Sequence, residues 1–66
     1  MKISVNGEIK EFNEESLTID KILDILEYKT GIAVALNETF IIKTKYRDTV
    51  VKDGDRLDIL SPIQGG

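Results

Sequence analysis

The stretch Lys2-Ile3-Ser4-Val5-Asn6-Gly7-Glu8-Ile9-Lys10-Glu11-Phe12 decides how the rest of the chain is read. Ile3 and Val5 alternate with polar neighbours, so they share one face of a strand. Asn6-Gly7 sets side by side two residues that tolerate positive φ, which is what a two-residue hairpin turn requires. The chain therefore returns from Glu8 to Phe12 as an antiparallel partner. Ile9 and Phe12 have opposite parity, and only one of them can face the core in a regular strand. A bulge, or an early end of the strand near Phe12, resolves the conflict.

Beyond the hairpin, Asn13 to Ser16 reads as a polar loop. Thr18 stands at an N-cap position with Asp20 in the first turn, and Leu17 and Ile22 have the spacing of a hydrophobic staple. Ile19, Ile22, Leu23 and Leu26 recur at i, i+3, i+4 and i+7, one helical face, while Asp20, Lys21, Asp24 and Glu27 take the other. Tyr28 points away from the apolar stripe and Gly31 supplies a stop, so the spacing predicts a helix over 19–29. Ile32 to Leu36 is a strand with Ile32, Val34 and Leu36 on a core face and the small Ala33 and Ala35 on the other. Asn37 to Thr39 turns the chain into a short strand, Phe40 to Ile42. Lys43, Lys45 and Arg47 then read as charges on one side of an extended segment, where they protect an edge from pairing. Thr49-Val50-Val51 leads into the tight turn Asp53-Gly54-Asp55. Arg56 to Leu60 is the last strand, with Leu57 and Ile59 inward and Leu60 outward. The layout is α+β, one helix covering one face of a mixed four- to five-stranded sheet. Residues 1–60 form the domain, and 61–66 a flexible tail.

Composition narrows the chemistry. The 66 residues include no cysteine and no histidine. That removes disulfides, thiolate nucleophiles, zinc-thiolate sites and the commonest general base near neutral pH. The formal charge is −3 and it is uneven: residues 1–33 hold four lysines against seven carboxylates. An acidic half argues against nucleic acid, whose phosphates call for a basic stripe. The longest apolar run, Ile32 to Leu36, is too short to cross a membrane, and the start of the chain lacks a signal-peptide pattern, so the expected location is cytoplasmic. The paired carboxylates Glu14-Glu15, Asp20/Asp24 and Asp53/Asp55 fall on a loop, a solvated helix face and a turn. No catalytic residue, metal site or bound cofactor is expected from them.

What a core or a turn does not explain is Gly65-Gly66. Two glycines make the thinnest peptide and adopt any φ/ψ, so with Ile63 and Gln64 they can thread a narrow channel. Six extended residues from Ser61 reach about 20 Å at ~3.3–3.6 Å each. The α-carboxylate of Gly66 is then open to activation by ATP as an acyl-adenylate, on machinery that another protein must supply.

The whole chain resembles the sulfur carriers of thiamine (thiazole) biosynthesis, small ubiquitin-like β-grasp proteins. The resemblance rests on Ile3-x-Val5-Asn6-Gly7-Glu8, Thr18-Ile19 opening an Ile/Leu helix, Val34-Ala35-Leu36-Asn37, Asp53-Gly54-Asp55 and Gly65-Gly66. It departs at Ile41-Ile42-Lys43, where members often carry Val-Pro-Arg, and at Tyr46, often a tryptophan, which bears on partner choice more than on the carrier role. The resemblance implies a carrier that is a substrate and not an enzyme, monomeric when free. An adenylating enzyme using ATP joins AMP to Gly66, a sulfur donor protein converts it to a thiocarboxylate, and thiazole synthase takes the sulfur. In a β-grasp sheet the last strand lies between the first and third. That places Leu60 with Ala33 and Ala35 on the open face, as an anchor for the adenylating partner. The molybdopterin-synthase small subunit and ubiquitin-like protein modifiers share the fold and the tail, and remain as alternatives.

Overall fold

The computed structural model describes residues 1–28 and 31–61. The opening hairpin forms as its sequence dictates. Strand β1 (Lys2–Val5) pairs antiparallel with β2 (Glu8–Glu11), Val5 opposite Glu8. Asn6 and Gly7 both take positive φ, 52° and 85°, the pattern of a type I′ turn. The parity conflict is settled by an early end. The strand stops at Glu11, Ile9 lies opposite Ser4 on the outer face, and Phe12 packs at the margin of the core.

Strand β3 (Ser16–Thr18) follows, then helix α1 (Ile19–Ile25), β4 (Ala33–Leu36) and β5 (Thr39–Ile41). A 3₁₀ helix (Lys43–Asp48), β6 (Val50–Lys52) and β7 (Arg56–Leu60) complete the order. Five strands make one mixed sheet, β2-β1-β7-β4-β5, with β7 at its centre. It runs parallel to β1 and antiparallel to β4. Ile19, Ile22 and Leu23 of α1 close one face against Ile3, Val5, Val34, Leu57 and Ile59, and Tyr46 and Val51 complete this core. No helix among the described residues is long and apolar enough to cross a membrane.

Several sequence expectations give way to the structure. Helix α1 is shorter than 19–29 because it ends in a Schellman arrangement. Glu27 N–H donates to the Asp24 carbonyl (3.1 Å) and Tyr28 N–H to the Leu23 carbonyl (2.9 Å), with Glu27 in the left-handed region at φ 65°. The stop is therefore Glu27 and not Gly31. Released from the helix, Tyr28 packs on the core and does not point away from it. At the other end Thr18 is the N-cap residue, but its hydroxyl donates to the Asp20 carboxylate and accepts no bond from a backbone N–H.

The loop before α1 contains β3, which pairs antiparallel with β6, Leu17 opposite Val51, in a second small sheet. Lys43, Lys45 and Arg47 do not lie along an extended edge. They belong to the 3₁₀ helix, whose ~120° per residue points the three in different directions, so they form no stripe. Tyr46, in the same helix, is buried in the core, so its departure from tryptophan is a packing difference and not a surface one.

Candidate functional site

The site begins with β7. Residues Leu57 and Ile59 face the helix, and alternation sends Arg56, Asp58 and Leu60 to the opposite face. Leu60 lies opposite Ala33, and Asp58 opposite Ala35. Across β4 the next strand sets Phe40 opposite Ala35. The alanines are too small to fill the space between Leu60 and Phe40. The result is an apolar hollow lined by Ala33, Val34, Ala35, Phe40, Asp58 and Leu60. Leu60 keeps 71% of its surface exposed and Phe40 64%. Ile9, exposed on β2, extends the same face two strands away.

Polarity changes along β7. At its start, Arg56 is held between Asp58 (Nε to Oδ2, 2.9 Å) and Glu38 (Nη1 to Oε2, 3.3 Å). At its end stands Leu60, followed by exposed Ser61. The open face therefore has a charged end and an apolar end, and the apolar end adjoins Ser61, the last described residue. Ile63, Gln64, Gly65 and Gly66, the residues expected to thread and react, lie outside the described residues. The structure brings together Leu60, Ala33 and Ala35 as their parity predicts.

Sequence reasoning missed Phe40 as a member of this face. The signal was present: a two-residue turn at Asn37-Glu38 fixes the register and puts Phe40 beside an alanine.

The other candidates have structural work. Asp53 Oδ1 accepts the Lys2 N–H (2.7 Å), and Asp55 Oδ2 accepts the Lys52 N–H (2.8 Å). Asp55 Oδ1 also takes the Asn37 side-chain amide at 3.1 Å. These bonds tie the 53–55 turn to β1, β6 and the β4–β5 turn, which fixes where β7 begins. Among the described residues no group of three or more carboxylates could hold a metal ion.

Comparison with known proteins adds a match to the ThiS family model over residues 3–66. The chain belongs to the ThiS family. It is accordingly a ubiquitin-like β-grasp protein, as the strand order implied. The crystal structure of a thiamine biosynthesis protein (ThiS) from Geobacter metallireducens superposes with a TM-score of 0.88 at 30% identity, covering all of both chains. An NMR solution structure of a thiamine biosynthesis protein from the same organism gives 0.86 at 30% identity, covering all of this chain and 88% of that one. A thiazole synthase of Paramagnetospirillum magneticum is 36% identical over 67 aligned residues, which are all of this ThiS-family chain and 20% of that protein. The chain thus spans about a fifth of that relative's length. An uncharacterised protein of Porphyra purpurea, ycf40, is 29% identical over 68 aligned residues, 93% of its length.

Proposed function

We propose that this chain is a sulfur carrier of thiamine biosynthesis, acted on by partner enzymes and itself no enzyme. Its Gly66 carboxylate is adenylated, converted to a thiocarboxylate, and gives its sulfur to thiazole synthase. The observation that carries this reading is the ThiS family match, which runs through Gly65-Gly66. The thiazole synthase assignment is supported by the Paramagnetospirillum protein of that name, which contains a segment like this chain.

In the first step a Gly66 carboxylate oxygen attacks the α-phosphorus of ATP, the bond to pyrophosphate breaks, and an acyl-adenylate forms. The terminal sulfur of a donor protein's persulfide then attacks the carbonyl carbon and displaces AMP, leaving an acyl disulfide. A thiol cleaves its S–S bond, taking the donor's sulfur into a new disulfide and freeing the thiocarboxylate. With no cysteine or histidine in the chain, the thiols come from partners. This chain supplies a carboxylate on a side-chain-free end, and the Leu60, Ala33, Ala35 and Phe40 face by which the adenylating enzyme holds the body.

Mass spectrometry after incubation with the adenylating enzyme, ATP and a persulfide donor tests the reading. The wild type exchanges one terminal oxygen for sulfur. A variant with one residue added after Gly66 moves the carboxylate by ~3.5 Å, and a variant lacking Gly66 withdraws it as far. Both should lose at least ~100-fold in loading, since even a 1 Å misplacement has that effect. Normal loading of either variant overturns the mechanism. Lysine conjugates in place of a thiocarboxylate indicate a protein modifier, and a thiocarboxylate found only within a stable heteromer indicates a molybdopterin-synthase subunit.

A further inference from the structure

We propose that Asn6 is a positioning residue that fixes Ile59 and Leu60, the root from which the carrier's reactive end extends, an inference that rests on the carrier reading above. The parallel ladder between β1 and β7 is short, pairing Ser4 with Arg56 and Val5 with Leu57. Along it Ser4 N–H donates to the Asp55 carbonyl and Asn6 N–H to the Leu57 carbonyl, each at 3.0 Å. The next rung of a parallel ladder would run from Ile59 N–H to the backbone carbonyl of Asn6. That rung is taken by the side chain instead, because at Asn6 the backbone turns away into the hairpin at φ 52°. The Ile59 N–H donates to Asn6 Oδ1 at 2.7 Å. The side chain thus continues the ladder by one step past the end of β1, at the last inward residue before Leu60.

A second asparagine makes the point sharper. Asn37 opens the other two-residue turn, also with positive φ (50°), and its Oδ1 accepts the Arg56 N–H at 2.9 Å. Two asparagines in equivalent turn positions therefore clamp β7 from opposite sides. Asn37 holds its beginning, far from the tail, and Asn6 holds its end. Asparagine suits both places because it tolerates the left-handed region and carries a short acceptor.

The clamp at the end has a consequence that the clamp at the beginning lacks. Pairing with β4 sets Leu60 opposite Ala33 and Ile59 opposite Val34. On the β1 side, among the described residues, the Asn6 bond is the one that holds Ile59, so it fixes the end of β7 from its second side. A partner that grips Leu60 and draws the tail into a channel meets a root already set in place. Without the bond, that root is held from the β4 side alone and must be tightened on binding, which weakens capture of the carrier and not the chemistry that follows.

Asn6→Gly separates the two jobs of this residue, since glycine keeps the turn and removes the acceptor. Asn6→Asp keeps both, and Asn37→Gly removes the equivalent acceptor at the other end. Two measurements apply, at a temperature where circular dichroism shows each variant folded. One is ATP-dependent pyrophosphate release by the adenylating enzyme at varied carrier concentration. The other is amide hydrogen exchange at Ile59.

For Asn6→Gly, KM for the carrier should rise about two- to tenfold, the worth of one net hydrogen bond, with kcat unchanged. Ile59 exchange should accelerate by at least as much. Asn6→Asp should restore both values. Asn37→Gly should lower the melting temperature and leave KM alone. The proposal is overturned if Asn6→Gly keeps the wild-type KM, if Asn6→Asp is as defective as Asn6→Gly, or if Asn37→Gly raises KM equally. Absence of pyrophosphate with the wild type would overturn the carrier reading itself. The Ile59 exchange contrast between the two Asn6 variants would still decide whether the side chain supplies the rung.

Discussion

Within β7, Ile59 is 3% exposed and its neighbour Leu60 71%. The two residues are similar in hydrophobicity and differ only in parity, and the same contrast runs across the sheet. The helix side carries Ile3, Val5, Val34 and Leu57 under α1, while the other side carries Ile9, Phe40 and Leu60 with none of the described elements over them. One face supplies the burial that holds the domain together. The other holds apolar side chains that contribute little to folding, because they remain in water after folding. On the docking proposed above, stability and partner binding reside in alternate residues of the same strands, and substitutions should separate them.

The largest effect belongs to the covered face. Leu23→Ala removes a buried side chain of α1 and should cost about 2–5 kcal/mol, measured by urea denaturation. In a domain with ~5 kcal/mol in total, part of the population would unfold. A loss below ~1 kcal/mol would mean that α1 contributes no tight packing and would erase the contrast between the faces.

Leu60→Asp tests the open face. It should weaken binding to the adenylating enzyme by about 2 kcal/mol, the scale of a central apolar anchor, while changing stability by less than ~1 kcal/mol. Calorimetric titration beside a urea melt reads both. Unchanged binding would move the docking surface elsewhere.

Gly54→Ala belongs to neither face. A Cβ there meets nothing within 4 Å, but the residue sits at φ 88°, so about 1–2 kcal/mol of backbone strain should appear in the melt and none in binding. The smallest effect concerns Tyr46. Burial raises its hydroxyl above the ordinary 10.0. The neutral form is the one the fold favours, so this contribution is present below pH ~10 and fades as pH rises through the higher folded value. Tyr46→Phe should flatten that alkaline decline, which stability curves against pH would reveal.

How legible these faces were depended on the strength of local signals. The β1–β2 hairpin and the inward and outward residues of β4 and β7 follow from period-two alternation and from Asn6-Gly7. The start of α1 follows from Thr18 and an apolar stripe. Its end does not, because Glu27 adopts a left-handed conformation that the sequence advertises with no glycine. Strands β3 and β6 have three residues each, too few for a period, and each exists through pairing with the other. In the 3₁₀ helix, Lys43-Thr44-Lys45-Tyr46-Arg47 alternates charge with neutral residues. That pattern fits an extended chain equally well until the burial of Tyr46 decides it. At the site, Leu60, Ala33 and Ala35 could be placed by parity together with the strand order that the family resemblance implies. Phe40 needed the register of the Asn37-Glu38 turn, and the ladder-continuing role of Asn6 needed the position of a strand distant in sequence.

The central place of β7 also has a consequence for the timing of maturation. Both of its neighbours, β1 and β4, are made before it, and the main sheet stays split in two halves until β7 enters between them. Closing it requires contacts of long sequence separation, which form late because the intervening chain must first be brought together. During synthesis the earlier strands therefore wait as an unfinished pair of hairpins. The apolar hollow, which needs Leu60 beside Ala33, and the fixed root of the tail arise in the same event. A nascent or unfolded chain presents neither of them, so on the carrier reading proposed above, quality control of the body is built into the order in which its strands emerge.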